Sequence, residues 1–135
     1  MIGTDAFFDT NVLLYAISSD SAKAQISEKL IGIGGVVSIQ VLAEFVDVAR
    51  RKHALTWSRR RDVLANVEEL CVVEGLTLET HQRAVAISER YGYRIFDGMI
   101  IAAATMANCS TLLSEDMRAG QSIGRLTIRN PFSGT

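Results

Sequence analysis

The stretch that decides the fold is Phe7-Phe8-Asp9-Thr10-Asn11-Val12-Leu13-Leu14-Tyr15-Ala16. Two apolar runs, each fit for a core, are separated by a carboxylate, a hydroxyl and an amide. "DAFFDT" (5–10) reads as a short buried strand, and "NVLLYAIS" (11–18) as the helix that follows it. A strand that ends on an aspartate and turns at once into a helix is the opening of a crossover unit. It therefore predicts a parallel sheet with helices on its faces. Asp9 has an ordinary explanation, as the cap of a helix starting near Val12. A functional reading needs partners from elsewhere in the chain.

The rest of the sequence continues the alternation. "SAKAQISEKLIG" (21–32) is a helix closing on a glycine, and "GGVVSI" (34–39) a second strand. "QVLAEFVDVARRKHA" (40–54) and "TWSRRRDVLANVEEL" (56–70) are helices, the latter capped by Thr56 or Ser58. "CVVEG" (71–75) is a strand, and "TLETHQRAVAISERYG" (77–92) an amphipathic helix ending at Gly92. "DGMIIAAATMAN" (97–108) is apolar nearly all round and predicts a buried helix. "STLLSED" (110–116) and "RLTIRNP" (125–131) are the last two strands. The expectation is an α/β fold, a three-layer α/β/α sandwich with a mainly parallel central sheet, in one domain over 1–135.

Composition narrows the class. Apolar residues make up 48% of 135 residues and proline occurs once, which excludes a disordered chain. No hydrophobic run approaches the roughly 20 residues that span a bilayer. No secretory leader is visible, and Cys71 and Cys109 sit in apolar surroundings as lone thiols without zinc-ligand neighbours. A cytoplasmic setting is expected, with no membrane partner. The net charge of −1 argues against a polybasic nucleic-acid binder. Yet bases cluster at Arg50-Arg51-Lys52 and Arg59-Arg60-Arg61, read as solvated helix ends. If bound cations neutralised four of the 15 acids, 11 would face 14 bases.

Four acids stand where an open parallel sheet places chemistry, at the carboxyl ends of its strands. Asp9 ends the first strand, Asp97 opens the buried helix, and Asp116 follows "TLLS". Glu44 lies early in the helix after the second strand. At about 100° per residue it falls roughly 40° from Val48, on the edge of the apolar arc, whereas Asp47 is easily solvated. Converging carboxylates repel one another and raise each other's pKa, a conflict that a divalent cation resolves. All-oxygen ligands point to Mg²⁺ or Mn²⁺ and to metal-assisted phosphodiester hydrolysis. Glu115 beside Asp116 is either a ligand through water or a surface acid. His53 and His81 read as solvent-facing, not as a general acid–base pair, and Trp57 reads as core.

"FFDTNVLLYA", "VSIQVLAEFVDV", "IFDGMIIAAATMANCSTLLSEDM" and "IRNPF", in that order, resemble the PIN-domain proteins, particularly ribonuclease toxins of the VapC type. The resemblance spans essentially the whole chain. It implies a quartet of Asp9, Glu44, Asp97 and Asp116 that coordinates Mg²⁺ or Mn²⁺ and positions water for RNA cleavage, leaving a 5′-phosphate. It implies supporting roles for Thr10, Asn11 and Ser114. It also implies a VapB-like antitoxin whose basic side chain approaches the acids, and a homodimer; the helix face around Ala49–Trp57 offers Leu55 and Trp57 as anchors for such a partner. The alternatives are a PIN-like RNA-processing nuclease with no toxin role, a haloacid-dehalogenase-type phosphatase and a receiver domain. The phosphatase needs an aspartate where Asn11 stands. The receiver needs a late lysine, and none follows Lys52.

Overall fold

Short apolar runs, each ending at a polar capping residue, set the architecture. The computed structural model describes residues 4–133. Strand β1 (Ala6–Phe8) leads into helix α1 (Thr10–Ala16), and α2 (Ser21–Ile33) returns to β2 (Val36–Ser38). Helices α3 (Ile39–His53) and α4 (Trp57–Leu70) precede β3 (Val72–Glu74). Helices α5 (Leu78–Tyr91) and α6 (Ile95–Met106) precede β4 (Thr111–Leu113), and β5 (Ser122–Ile123) and β6 (Leu126–Arg129) close the sheet. Side-chain oxygens of Asp20, Ser38, Thr56 and Thr77 cap four of these helices.

The sheet runs β3-β2-β1-β4-β6-β5. Every pairing is parallel except β5 with β6. Helices α1 to α4 pack among themselves, while α5 packs on α6 and α6 lies against β2 and β4. The expected three-layer α/β/α arrangement is therefore present. Phe7, Phe8, Val36, Val37, Leu112 and Ile128 fill the sheet's interior at 2% exposure or less. Two glycines permit close approaches. A Cβ on Gly35 would lie 2.6 Å from the Phe8 ring, and one on Gly98 would lie 2.9 Å from the Ala84 carbonyl oxygen. The first lets β2 begin against β1; the second lets α6 press into α5. Among the described residues, no helix is long and apolar enough to cross a membrane.

Several boundaries differ from expectation. Helix α2 runs to Ile33 and ends on Gly34, whose φ of 95° lies where only glycine is unstrained. Helix α1 begins at Thr10, not near Val12. Strand β5 was not anticipated, because two residues carry no periodicity. Trp57 is not core: it is 60% exposed, and Arg60, expected in solvent, is 3% exposed instead. The Arg60 guanidinium lies 4.0 Å from the Trp57 ring centroid and donates to the Val46 carbonyl at 3.0 Å. Helix α4 thus buries the arginine stem and leaves the indole outside. Cys71 and Cys109 are buried free thiols, and burial pushes Cys109 up to about 11.

Candidate functional site

The strand order reverses between β1 and β4, the place where an open parallel sheet forms a crevice beyond its carboxyl ends. Phe8 pairs with Leu113, so the next residues, Asp9 and Ser114, emerge side by side. The Asp9 amide still donates to the Leu113 carbonyl at 3.0 Å, which fixes the backbone before the carboxylate leaves the sheet. Asp9 is both cap and site acid. Its Oδ1 accepts from the Thr10 amide at 2.7 Å, while its Oδ2 accepts from the Ser114 hydroxyl at 2.7 Å.

Asp9 is 6% exposed. Burial raises its pKa, hydrogen bonds from Ser114 and the Thr10 amide oppose the rise, and the charges of Asp97 and Glu44 add to it. The result is about 6. All the groups that donate to Asp9 are neutral. Glu44, half-buried on α3 and one turn from Val48, accepts from the Thr10 hydroxyl at 2.8 Å. Asp97 is the third residue of α6, not its opening cap, and Arg94 at the cap position makes no side-chain cap bond. Burial raises the Asp97 pKa, Arg94 counters it, and Glu44 and Asp116 raise it further. Asp116 is exposed and accepts from Asn11 Nδ2 at 3.2 Å.

The supporting residues interlock. Asn11 Nδ2 also reaches Asp9 Oδ2 at 3.5 Å, and Asn11 Oδ1 accepts from the Glu115 amide at 3.2 Å. One amide thus spans two acids and the chain between them. The Ser114 hydroxyl donates to Asp9 and accepts from the amides of Asp116 and Met117 at 3.2 and 3.3 Å. Glu115 is neither a free surface acid nor turned to the other acids. It pairs with Lys23 Nζ at 2.7 Å and accepts from the Tyr15 hydroxyl, contacts that lower its pKa. The Tyr15 ring packs on Phe132 with centroids 4.7 Å apart.

Gln40 was not singled out from the sequence. It is 8% exposed, and its Nε2 donates to Glu44 Oε1 at 2.7 Å and to the Phe96 carbonyl at 3.0 Å. Both partners are acceptors only, so the amide orientation is fixed. Its Oε1 is buried with no partner among the described residues. The spacing could have pointed to it, since Gln40 lies one helical turn before Glu44. His53 and His81 are exposed, as expected.

Two clefts flank the acids. One of about 570 Å³ is lined by Gln40, Glu44, Val48, Arg51, Phe96 and Asp97, among others. Another of about 230 Å³ is lined by Asn11, Tyr15, Val48, Lys52, His53 and Asp116, among others. Val48 borders both, so the ridge of α3 divides the site.

The donor set suits a hard cation. The four acids offer carboxylate oxygens from four separate elements. The ion pairs of the described residues, Lys23–Glu115, Arg51–Asp47 and Arg83–Glu79, include none of them. Among the described residues no three His, Cys, Asp or Glu side chains stand close enough to form a ready cage. Carboxylates gathered without an ion-pair partner among the described residues, one of them with its pKa raised by burial, are what Mg²⁺ or Mn²⁺ would draw together.

Comparison with known proteins bears on the fold. No curated protein sequence is a significant match to the chain. A toxin–antitoxin complex from Klebsiella pneumoniae superposes with a TM-score of 0.69 at 21% identity, over 93% of this chain and 97% of that one. VapBC2 from Rickettsia felis, bound to a DNA fragment from its promoter, gives 0.66 at 20% identity, over 96% and 98%. Mycobacterium tuberculosis VapC20, a sarcin–ricin loop cleaving toxin, gives 0.64 at 16% identity, over 82% and 89%. At these identities the likeness is one of fold. The sequence profile described as PIN domain matches residues 6–121, most of the chain. The chain belongs to the PIN domain family.

Proposed function

We infer that the protein, read as one nuclease domain over 1–135, is a metal-dependent endoribonuclease. We further infer that it acts as the toxin of a VapBC-type toxin–antitoxin pair. The observation that carries the nuclease reading is the set of Asp9, Glu44, Asp97 and Asp116 around the ends of β1 and β4, with no basic partner in ion-pair contact. In this reading these four side chains hold Mg²⁺ or Mn²⁺. The bound ion supplies Lewis acidity, which activates water and offsets charge on the phosphoryl and leaving oxygens.

The chain's own residues orient the ligands. Ser114 and the Thr10 amide fix Asp9, Thr10 and Gln40 fix Glu44, and Asn11 fixes Asp116. Among the described residues neither His81 nor His53, which lines the cleft beside Asp116, has a hydrogen bond to the four acids, and this favours water over the substrate's 2′-hydroxyl as nucleophile and a 5′-phosphate product. Asn11 stands between Asp9 and Asp116 as a donor, so it cannot serve as the second aspartate a haloacid-dehalogenase-type phosphatase requires.

The toxin role rests on resemblance in fold to VapC20 and to the two toxin–antitoxin complexes. A VapB-like antitoxin would bring a basic side chain to the unpaired acids. Leu78 and Val85, exposed on one face of α5, supply apolar surface for a homodimer. Free buried thiols suit a cytoplasmic setting.

The decisive experiment compares the wild type with Asp9→Ala and Asp97→Asn on RNA, in Mn²⁺ and in EDTA. Cleavage should require both the metal and the two acids. Cleavage that survives chelation, or equal cleavage by all three proteins, would refute the mechanism. For the toxin role, expression without an antitoxin should arrest growth and either substitution should relieve the arrest.

A further inference from the structure

The Phe96 ring has no part in the network around the acids, yet the residue is 56% exposed at the start of a helix that is otherwise largely buried. It directly precedes Asp97 and lines the same cleft as Glu44 and Asp97, with Arg51 and Arg94 alongside. Leaving that share of the residue in water forgoes roughly half of the about 1.5–3 kcal/mol that full burial of a Phe side chain supplies. The backbone beneath it is held in place: buried Gln40 grips the Phe96 carbonyl with the same nitrogen that holds Glu44. The ring therefore projects from a peptide fixed relative to a site carboxylate.

We propose that this cleft is a nucleobase subsite, in which the base next to the scissile phosphate stacks on the Phe96 ring. The proposal rests on the RNA-hydrolase reading. At about 570 Å³ the cleft has the size of small-ligand pockets. The ring has no hydrogen-bonding group, so it reads a base by its face, and stacking of that kind tolerates any sequence. A base whose face is free must be unpaired, so the substrate presented here is single-stranded. Arg94 on the rim is the cation nearest the adjoining phosphates, since Arg51 is paired with Asp47 at 3.1 Å. A second copy of this chain is the poorer occupant, because a permanent dimer contact over Phe96 would also close the cleft containing Glu44 and Asp97.

The test uses binding, so it does not depend on turnover. Fluorescence anisotropy would follow a labelled single-stranded RNA and the same RNA with one abasic position, walked along its length. The proteins are the full chain carrying Asp9→Asn, alone and with Phe96→Ala or Phe96→Trp. Phe96→Ala should weaken binding of intact RNA roughly 5- to 150-fold, the range of one base–aromatic stack. Phe96→Trp should restore it. One abasic position should cost the Phe96 protein a similar factor and cost the alanine variant nothing. Equal affinity of all variants, no RNA binding, or abasic penalties that ignore Phe96 would each overturn the subsite. So would Phe96→Ala dissociating a dimer in sedimentation while the abasic penalties persist. Metal-dependent cleavage by the wild type, measured separately, distinguishes failure of the subsite from failure of the nuclease reading.

Discussion

The side-chain nitrogen of Gln40 stands 2.7 Å from Glu44 Oε1, one helical turn along α3. The same nitrogen holds the Phe96 carbonyl, so a single buried amide links the second acid to the turn that carries the third. Gln40→Leu removes both bonds, but it also removes an acceptor that has no partner among the described residues. These losses and gains are each about 1–3 kcal/mol, so unfolding stability should change by less than about 2 kcal/mol. Cleavage should fall much further, about 10- to 100-fold, as for loss of other groups that orient metal ligands. Urea unfolding beside metal-saturated kinetics tests this; a parallel collapse of stability would show Gln40 to be only structural.

Asp9 gives the metal-free protein a pH dependence of definite sign. Its folded-state pKa of about 6 lies above the ordinary 3.8, because burial disfavours the charge. Folded protein therefore holds this proton longer than unfolded protein does. Stability should be highest below 3.8, fall as pH rises toward 6, and level off above it. The whole change is about 3 kcal/mol, and the raised Asp97 adds in the same direction. Asp9→Asn should flatten most of this slope and raise the urea midpoint at neutral pH. Mg²⁺ should raise the melting temperature of the wild type at neutral pH and barely move that of Asp9→Asn. A wild-type midpoint independent of pH between 4 and 6 would count against the buried, uncompensated carboxylate.

Asn11 can be tested by charge alone. Asn11→Asp keeps the shape but replaces a donor shared by Asp9 and Asp116 with a third carboxylate. Like charges at that distance raise one another's pKa and oppose closure on one cation. Cleavage should drop at least about tenfold, the lower bound for groups that orient ligands, and the metal needed for half-maximal rate should shift. Asn11→Ala should lose activity without that added repulsion, so its metal-free stability at neutral pH should exceed that of Asn11→Asp. The reverse order in chemical denaturation would show that Asn11 does not separate the acids.

Much of the site was legible because its signals are local. Asp9 interrupts two apolar runs, Asp97 is a lone charge in an apolar helix, and the phase of α3 turns Glu44 toward the seam. Arg60 and Trp57 were misread because either can fill the space under the α3–α4 corner. The guanidinium wins by donating to the Val46 and Thr56 carbonyls while its plane covers the indole. Spacing along α4 cannot encode that choice. The contact of Glu115 with Lys23 joins positions 92 apart and carries no local pattern. The edge strand β5 depends on pairing with β6, since Ser122–Ile123 has no strand character of its own.

That long-range contact supplies the last prediction. Glu115 neighbours Asp116, and a carboxylate there invites reading as a further metal ligand. In the structure both its oxygens are engaged, by Tyr15 and by Lys23, and its amide donates to Asn11. If Glu115 works through that attachment, Lys23→Met removes the cation of the ion pair and Glu115→Gln its anion, and both should lower activity by a similar factor. The double variant should then be no worse than either single one. Stability should barely move, since the pair is partly exposed and screened. If Glu115 were instead a ligand, Glu115→Gln would weaken metal binding while Lys23→Met would not. Metal titrations of activity for the three variants decide between the two outcomes.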